Sequence, residues 1–521
     1  MTTSSAPASP PRRLTQVARA SLLLSVFFAL DKALGLLRQI LIGRQFGVSA
    51  ELDAFNAANN IPDLLFALIS GGALTVALIP VLSETLQLSG RPALWQLFSR
   101  VANWAFVITA VLAVVVACLA NSLVRAELGI APGFHPEAQD LVVQLMRLNL
   151  IATLIFSISG LVMAGLQANQ HFLLPAMAPA LYNLGLIFGA LILAPAHGTR
   201  LGPVTLPSAD LGIQGLVYGV ILGAALHLAV QIPGLFRYRF RWTPRLGVVD
   251  PGLRKVARLM GPRILTIGAF NLVFVIQDNL ASRLPVGSVT ALVYGWLIMQ
   301  LPQTLIGTAI GMALLPTLSE HFARRQEAEF AGSLARAART IFALSFPAAL
   351  LLALTIEPFI QTLFAFEPSD TALVAWAARA YLAGLVGHCL LEIGSRGFYA
   401  RQNARLPLAA SLLSGTVFVL AALLLFRPLG AAGIALSNSL AYTLEAVLLL
   451  GLLAHRYPAI LRQGRGFLRI LIGGAVAAAV AAGIMVLQPA SPLLTSLAAL
   501  AAGGLVALVF IRPEIRTLAQ L

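Results

Sequence analysis

From Val101 to Val124 the chain passes 24 residues without one charged side chain, and from Ile470 to Ile511 it passes 42. A helix needs about 20 apolar residues to cross a hydrocarbon core of about 30 Å. Similar runs recur along the whole sequence. They are apolar throughout rather than alternating, so they read as spanning helices and not as strands of a membrane barrel. Composition enters here as a check. Of 521 residues, 59% are apolar and 11% charged, against roughly 25% charged in an average soluble domain. So few charges cannot coat a soluble body with that apolar content. A soluble enzyme, a disordered chain and a secreted disulfide scaffold are excluded. The expected fold is an all-α polytopic membrane protein with about 14 transmembrane helices.

The formal net charge of +15 could indicate nucleic acid, but its distribution indicates a membrane. With the N-terminus placed in the cytoplasm, Arg44, Arg125, Arg200, Arg283, Arg379 and Arg427 fall near outer ends, and Lys32, Arg38, Arg147 and Arg263 within spans. The remaining Lys and Arg collect at inner ends, which is the positive-inside bias. Arg237, Arg239, Arg241 and Arg245 share one inner loop and read as a topology signal facing anionic headgroups, with a dedicated partner site as the alternative. Cys118 and Cys389 lie in apolar runs and read as small core residues.

The sequence also repeats. ALIPVLSE (77–84) returns as ALLPTLSE (313–320), GLQANQHFLLP (165–175) as GFYARQNARLP (397–407), and LGIQG (211–215) as LGAAG (429–433). The offsets are 236, 232 and 218, in the same order. Each pair lies six spans apart, an even number, so the halves share one orientation. This gives two parallel six-helix repeats. The expected organisation is a disordered cytoplasmic tip (1–15), an N-terminal half (16–236), a C-terminal half (250–456) and two extra transmembrane helices (466–511). Halves of equal orientation commonly enclose a midplane substrate cavity, so a transporter is expected rather than an enzyme. No GxxxxGK[ST], HExxH or CxxC motif occurs, so no nucleotide, metal or cofactor is expected.

Polar residues inside spans mark the candidate site. Asp31, Gly35 and Arg38 form one stripe of the first span, with Lys32 beside it. Asp53, Asn56, Asn60 and Asp63 are spaced i, i+3, i+7, i+10, an arc of about 80° at about 100° per residue. One arrangement pairs Arg38 with Asp53 or Asp63 and leaves Lys32 for an anionic ligand. The other is a structural polar seam. The seventh span carries Arg263, Asn271, Gln277 and Asp278. Asn271 and Asp278 could line a cavity, bind a cation or bridge helices. In the tenth span Glu392–Arg396 reads as an internal ion pair. Pro62, Pro80, Pro302 and Pro316 interrupt helical runs and offer bends.

Several segments resemble the MurJ (MviN) lipid II flippases of the multidrug/oligosaccharidyl-lipid/polysaccharide exporter superfamily. They are GLLRQILIGRQFG (35–47), LDAFNAANNIPDLL (52–65), ALIPVLSE, the run from Gly165 to Asn183, GMALLPTLSE (311–320) and GFYARQNARLP. The resemblance implies fourteen helices around a V-shaped cationic cavity. It implies transfer of a polyprenyl-pyrophosphate-linked peptidoglycan precursor, lipid II, from inner to outer leaflet by alternating access. It also implies a multi-pass protein of the bacterial cytoplasmic membrane with both termini cytoplasmic. The expected partners are a lipid-linked oligosaccharide and membrane lipids, with the cell-wall synthesis machinery as a further one, and the expected state is a monomer. The family's first-helix arginine pair falls on Lys32 and Arg38, and its second-helix acid on Asp53. Expected substrate-binding residues are thus Lys32, Arg38, Asp53, Asn56, Asn60, Asp63 and Arg263. Cavity cations of the family are replaced by Phe66 and Ala67, and an acid by Ser70. Its eighth-helix acid–arginine–acid group is replaced by Trp296, Leu297 and Gln300. The sodium site of some relatives would draw on Asn271, Asp278 and Asn438, but the eleventh span brings no acid or amide to complete it. The alternatives are export of another lipid-linked glycan or a small molecule, or a membrane scaffold that transports nothing.

Overall fold

The computed structural model describes residues 16–71, 73–198, 200–201, 204–246, 251–460, 464–487 and 491–518. The tip expected over residues 1–15 lies outside them. Helices dominate. The only strand pairing among the described residues joins Arg200–Leu201 to Val204–Thr205.

The chain opens with α1 (Gln16–Phe46) and α2 (Ala50–Phe66), continues through a π-helical turn at Ala67–Gly71, and enters α3 (Ala73–Arg125). Gly90, at φ 80° and ψ 178°, breaks α3 into two passes. Next come α4 (Pro136–Ala168), then α5 (Leu173–Phe188) with a π-turn at Gly189–Leu193, then α6 (Ile213–Ala229) and the short α7 (Ile232–Arg237). The second half runs through α8 (Pro251–Ala281), α9 (Ser288–Gln303), a π-turn at Thr304–Thr308, α10 (Ala309–Ala323), α11 (Glu327–Phe364), α12 (Pro368–Ala383) and α13 (Leu385–Ala400). In α14 (Arg405–Arg456), Gly430 at φ 59° and ψ −140° separates two passes. The last helices are α15 (Gly464–Leu487) and α16 (Pro492–Leu518). Joining segments that continue one another gives fourteen helical passes among the described residues. Ten continuous stretches there are long and apolar enough to cross a membrane unaided. As expected of helices solvated by lipid, large apolar side chains are exposed, among them Val111 and Val114 on α3, Leu424 on α14 and Leu505 on α16.

The repeat is visible in the backbone. Gln170 and Gln402, 232 positions apart, both adopt a left-handed conformation, at φ 59° and φ 56°. The turns around them close alike. His171 N–H donates to Leu166 O and Gln170 N–H to Gln167 O, as Asn403 N–H donates to Phe398 O and Gln402 N–H to Tyr399 O. Gly212 (φ 54°, ψ −141°) matches Gly430 at the 218 offset. That combination of angles is open to little but glycine.

By its contacts the chain divides into two compact units. One takes the described residues of Met1–Leu41, Leu65–Val114 and Asn149–Pro262, and the other those of Ile42–Leu64, Val115–Leu148 and Arg263–Leu521. The first unit buries Leu78, Leu82, Trp95, Phe98, Val101, Leu161 and Leu166. In it α5 and α6 approach through small residues. A Cβ on Gly185 would lie 2.3 Å from Gly223 Cα, and one on Gly189 would lie 2.8 Å from Gly219 Cα. Such contact lets two backbones pack without a hydrophobic driving force. In the second unit α15 and α16 pack on α11 through Leu351, Ala477, Ala481, Ala499 and Ala507. Glu514, 1% exposed, accepts a hydrogen bond from Arg469 and lies 3.6 Å from Arg339 Nε, so one buried carboxylate ties three helices.

Candidate functional site

The polar stripe of α2 is real, and its partners are helix ends. Asp53, 2% exposed, receives the Gly287 N–H at 2.6 Å and the Thr290 N–H at 2.7 Å. These are orphan donors at the start of α9, which has no cap of its own: Gly287 precedes it at φ 92°. A carboxylate there also meets the positive end of the helix dipole. Asn56 donates to Thr290 Oγ1 at 3.3 Å, and Asn60 donates to Asp278 on α8. Asp53, Asn56 and Asn60 thus share a face, as their spacing predicts, and the face is a structural seam. The expected pairing of Asp53 with Arg38 is corrected: Asp53 takes backbone amides, not a guanidinium. Asp63, further along, is exposed.

The cations of α1 sit in the first unit. Lys32 has 58% of its side chain exposed and stands 3.9 Å from Asp31, with Nζ 5.3 Å from the Phe28 ring centroid. Asn183 on α5 donates to Asp31 Oδ1 at 2.9 Å, which occupies that carboxylate. Arg38, half-buried, places its guanidinium 5.9 Å from the Tyr182 ring centroid. Its Nε is buried without a hydrogen-bond partner among the described residues. Tyr182 is braced edge-on by Phe156 at 5.2 Å between centroids, and Phe156 by a tilted Phe66 at 5.0 Å. Phe66, where the resemblance leads one to expect a cation, is therefore the far end of an aromatic ladder under Arg38. A cation over a ring gains about 0.5–2 kcal/mol without a carboxylate neutralising it. The side chain of Arg263 lies outside the described residues.

The three residues considered for an ion make separate bonds. Asp278 accepts from Asn60, Asn438 Oδ1 lies 3.2 Å from His388 Nε2, and Asn271 donates to Ile267 O in its own helix at 2.9 Å. No cluster of His, Cys, Asp or Glu suited to a metal occurs among the described residues. The second unit does hold a cavity of 740 Å³, lined by α8, α9, the following π-turn, α13 and α14, with Glu392, Arg396, His388 and Glu445 on its wall. Glu392 pairs with Arg396, as its i, i+4 spacing predicts. It also accepts from Gln303 and Thr308, at 3.2 Å and 3.3 Å, from either end of the π-turn. Trp296 stacks edge-on against both Tyr381 and His388.

Two groups escaped the sequence reading. Ser159 Oγ lies 2.6 Å from His227 Nδ1, and Gln231 donates to Ser159 Oγ at 2.9 Å, all three buried between α4 and the sixth pass. One isolated histidine in an apolar run gives no signal of such partners. Glu445, held by Ser411, likewise had no spacing to mark it.

Fourteen helical passes among the described residues, with a repeated backbone pattern, define a polytopic helical membrane fold. Solved structures agree. A "Lipid II flippase MurJ, inward closed conformation" superposes with a TM-score of 0.79 at 21% identity, over 96% of this chain and 100% of that one. An inward-facing multidrug resistance MATE family transporter of the MOP superfamily gives 0.68 at 16% identity, over 85% and 99%. In sequence, the family model described as "Lipid II flippase MurJ" matches residues 42–498, and the chain belongs to that family. It is 33% identical over 480 residues to the "Lipid II flippase MurJ" of Burkholderia cenocepacia, covering 90% of this chain and 89% of the relative. It is 27% identical over 436 residues to the "Probable lipid II flippase MurJ" of Haemophilus influenzae, covering 81% and 83%.

Proposed function

We propose that this chain, a multi-pass inner membrane protein, carries lipid II from the inner to the outer leaflet by alternating access. The carrying observation is Arg38, a half-buried guanidinium on α1 that rests on an aromatic ring, with no carboxylate paired to it among the described residues. A pyrophosphate cannot cross about 30 Å of hydrocarbon bare. Fixed cations replace its hydration, and a guanidinium binds phosphate oxygens through two parallel N–H bonds. On this reading Arg38 and the exposed Lys32 hold the diphosphate, with Arg263 adding charge and Asp63 meeting polar parts of the headgroup. Asp53, Asn56 and Asn60 support the site by fixing the starts and ends of α9 and α8. The polyprenyl tail stays in lipid. The charge distribution supports cytoplasmic N- and C-termini.

Phe66 and Leu297 stand where the family carries charge, and this favours a second reading, export of a different polyprenyl-linked glycan. Complementation separates the two. A bacterium depleted of its own lipid II flippase is to be rescued by this gene and not by an Arg38→Ala copy inserted at equal level. Failure of the wild-type gene despite insertion would select the other glycan.

A further inference from the structure

The segment after α7 is built, not loose. Its backbone is pinned to α3 by side chains at i, i+4 and i+8. Trp95 Nε1 donates to Tyr238 O at 3.0 Å. Ser99 Oγ accepts from Thr243 N–H at 3.3 Å. Asn103 donates to Thr243 O at 2.9 Å and Arg245 O at 3.1 Å, and accepts from Trp242 Nε1 at 2.8 Å. Trp104 Nε1 donates to Leu246 O at 2.8 Å. Tyr238 and Phe240 turn inward, and Phe240 stacks on Trp95 and Phe98. Arg237, Arg239, Arg241 and Arg245 turn outward and are all exposed. Beside them stand Phe236, 79% exposed, and Trp242, 62% exposed.

Two further facts give this surface a purpose. No Asp or Glu occurs between Asp210 and Asp250, so the sequence supplies no local counter-ion. Arg239 also sits at φ 54° in the turn that ends α7. There its N–H donates to Phe236 O and the Phe240 N–H to Leu235 O. That position ordinarily takes glycine, and an arginine there bears left-handed strain. Positive-inside topology needs charge alone and no fixed backbone. At Leu246 the strap lies beside Trp104, and the lipid-facing side of α3 begins at Phe106, Val107 and Ile108, which are exposed. Arginines and exposed aromatics at that level match a headgroup layer.

We propose that residues 236–246 form a preordered docking surface for anionic phospholipid headgroups, distinct from the diphosphate site on α1. The guanidinia take the phosphodiesters, while Phe236 and Trp242 enter the interface. Full-length protein in detergent is titrated with phosphatidylglycerol and, in parallel, with phosphatidylcholine, and bound lipid is counted by native mass spectrometry. Each arginine lost should weaken phosphatidylglycerol binding about fivefold. The R239Q/R241Q/R245Q variant should therefore bind roughly a hundredfold more weakly, and R239K/R241K/R245K should stay within about tenfold of wild type. Unchanged binding by the glutamine variant, or equal loss in the lysine variant, overturns the proposal. A second measurement keeps it testable if the glutamine variant does not fold. Brominated phosphatidylglycerol should quench wild-type tryptophan emission more than that of W242F, and equal quenching overturns it. Displacement of the lipid by inorganic pyrophosphate at equal phosphate concentration and ionic strength would overturn the assignment to a membrane headgroup.

Discussion

Asp53 decides between two accounts of the second helix, because it can be tested as a cap and as a ligand contact at once. Its carboxylate takes two amide hydrogens, at 2.6 Å and 2.7 Å, at 2% exposure. Hydrogen bonds to a charged group contribute about 1.5–3 kcal/mol each, and losing the acceptor strands two buried donors. Asp53→Ala should cost about 3–5 kcal/mol. Asp53→Asn keeps one acceptor and should cost about 1–2 kcal/mol. With an unfolding entropy of about 2.1 cal/mol/K per residue, a chain of 521 residues loses about 1 °C per kcal/mol. The expected melting shifts in detergent are therefore about 3–5 °C for alanine and about 1–2 °C for asparagine. Flipping by the correctly folded fraction should be retained in the asparagine variant. The measurements are intrinsic fluorescence melting and complementation at equal membrane level. An alanine variant that melts within 1 °C of wild type and still fails to rescue would falsify the capping argument and make Asp53 a substrate contact.

Three more outcomes follow from the geometry. Glu514→Gln should lower stability by about 2–4 kcal/mol, because Arg469 and Arg339 lose their shared carboxylate; Glu514→Leu with Arg469→Met and Arg339→Met should recover most of it, as read by melting temperature. His171 lies in the turn between α4 and α5, where burial first and the charge of Arg237 second hold its pKa below the usual 6.5. The unfolded chain then takes up this proton first, so stability is full above about pH 7 and falls as pH drops through about 6.5. His171→Gln should flatten that slope in melts between pH 8 and pH 5. Gly307→Ala would set a methyl 2.8 Å from Cys389 Cα; overpacking of about 1–3 kcal/mol is expected, measurable as a lower melting temperature.

How much of this was legible in the sequence differs between fold and site. The passes and the repeat were readable because lipid demands unbroken apolar length and because LGIQG and LGAAG must share a glycine-only turn. The face of α2 was readable too, since Asp53, Asn56 and Asn60 obey the helical period. What that face meets was not. Charge complementarity suggested Arg38, while the true partners are two backbone amides some 235 positions away, and amides leave no mark in a sequence. Phe66 looked like a lost cation, and only the ladder to Tyr182 shows what it does instead. The Ser159–His227–Gln231 group was invisible because Ser159 lies on a different pass from His227 and Gln231.

The π-turns at Ala67–Gly71 and Thr304–Thr308 lie in corresponding passes of the two halves. Each fits one surplus residue into a helix, and one residue is about 100° of rotation. Downstream of them, ALIPVLSE and ALLPTLSE are therefore phased independently of the polar faces upstream. A single deletion within either turn would swing a whole arm to a new azimuth while leaving its composition untouched. Gaining or losing one amino acid at these two places is thus a larger change than replacing several elsewhere.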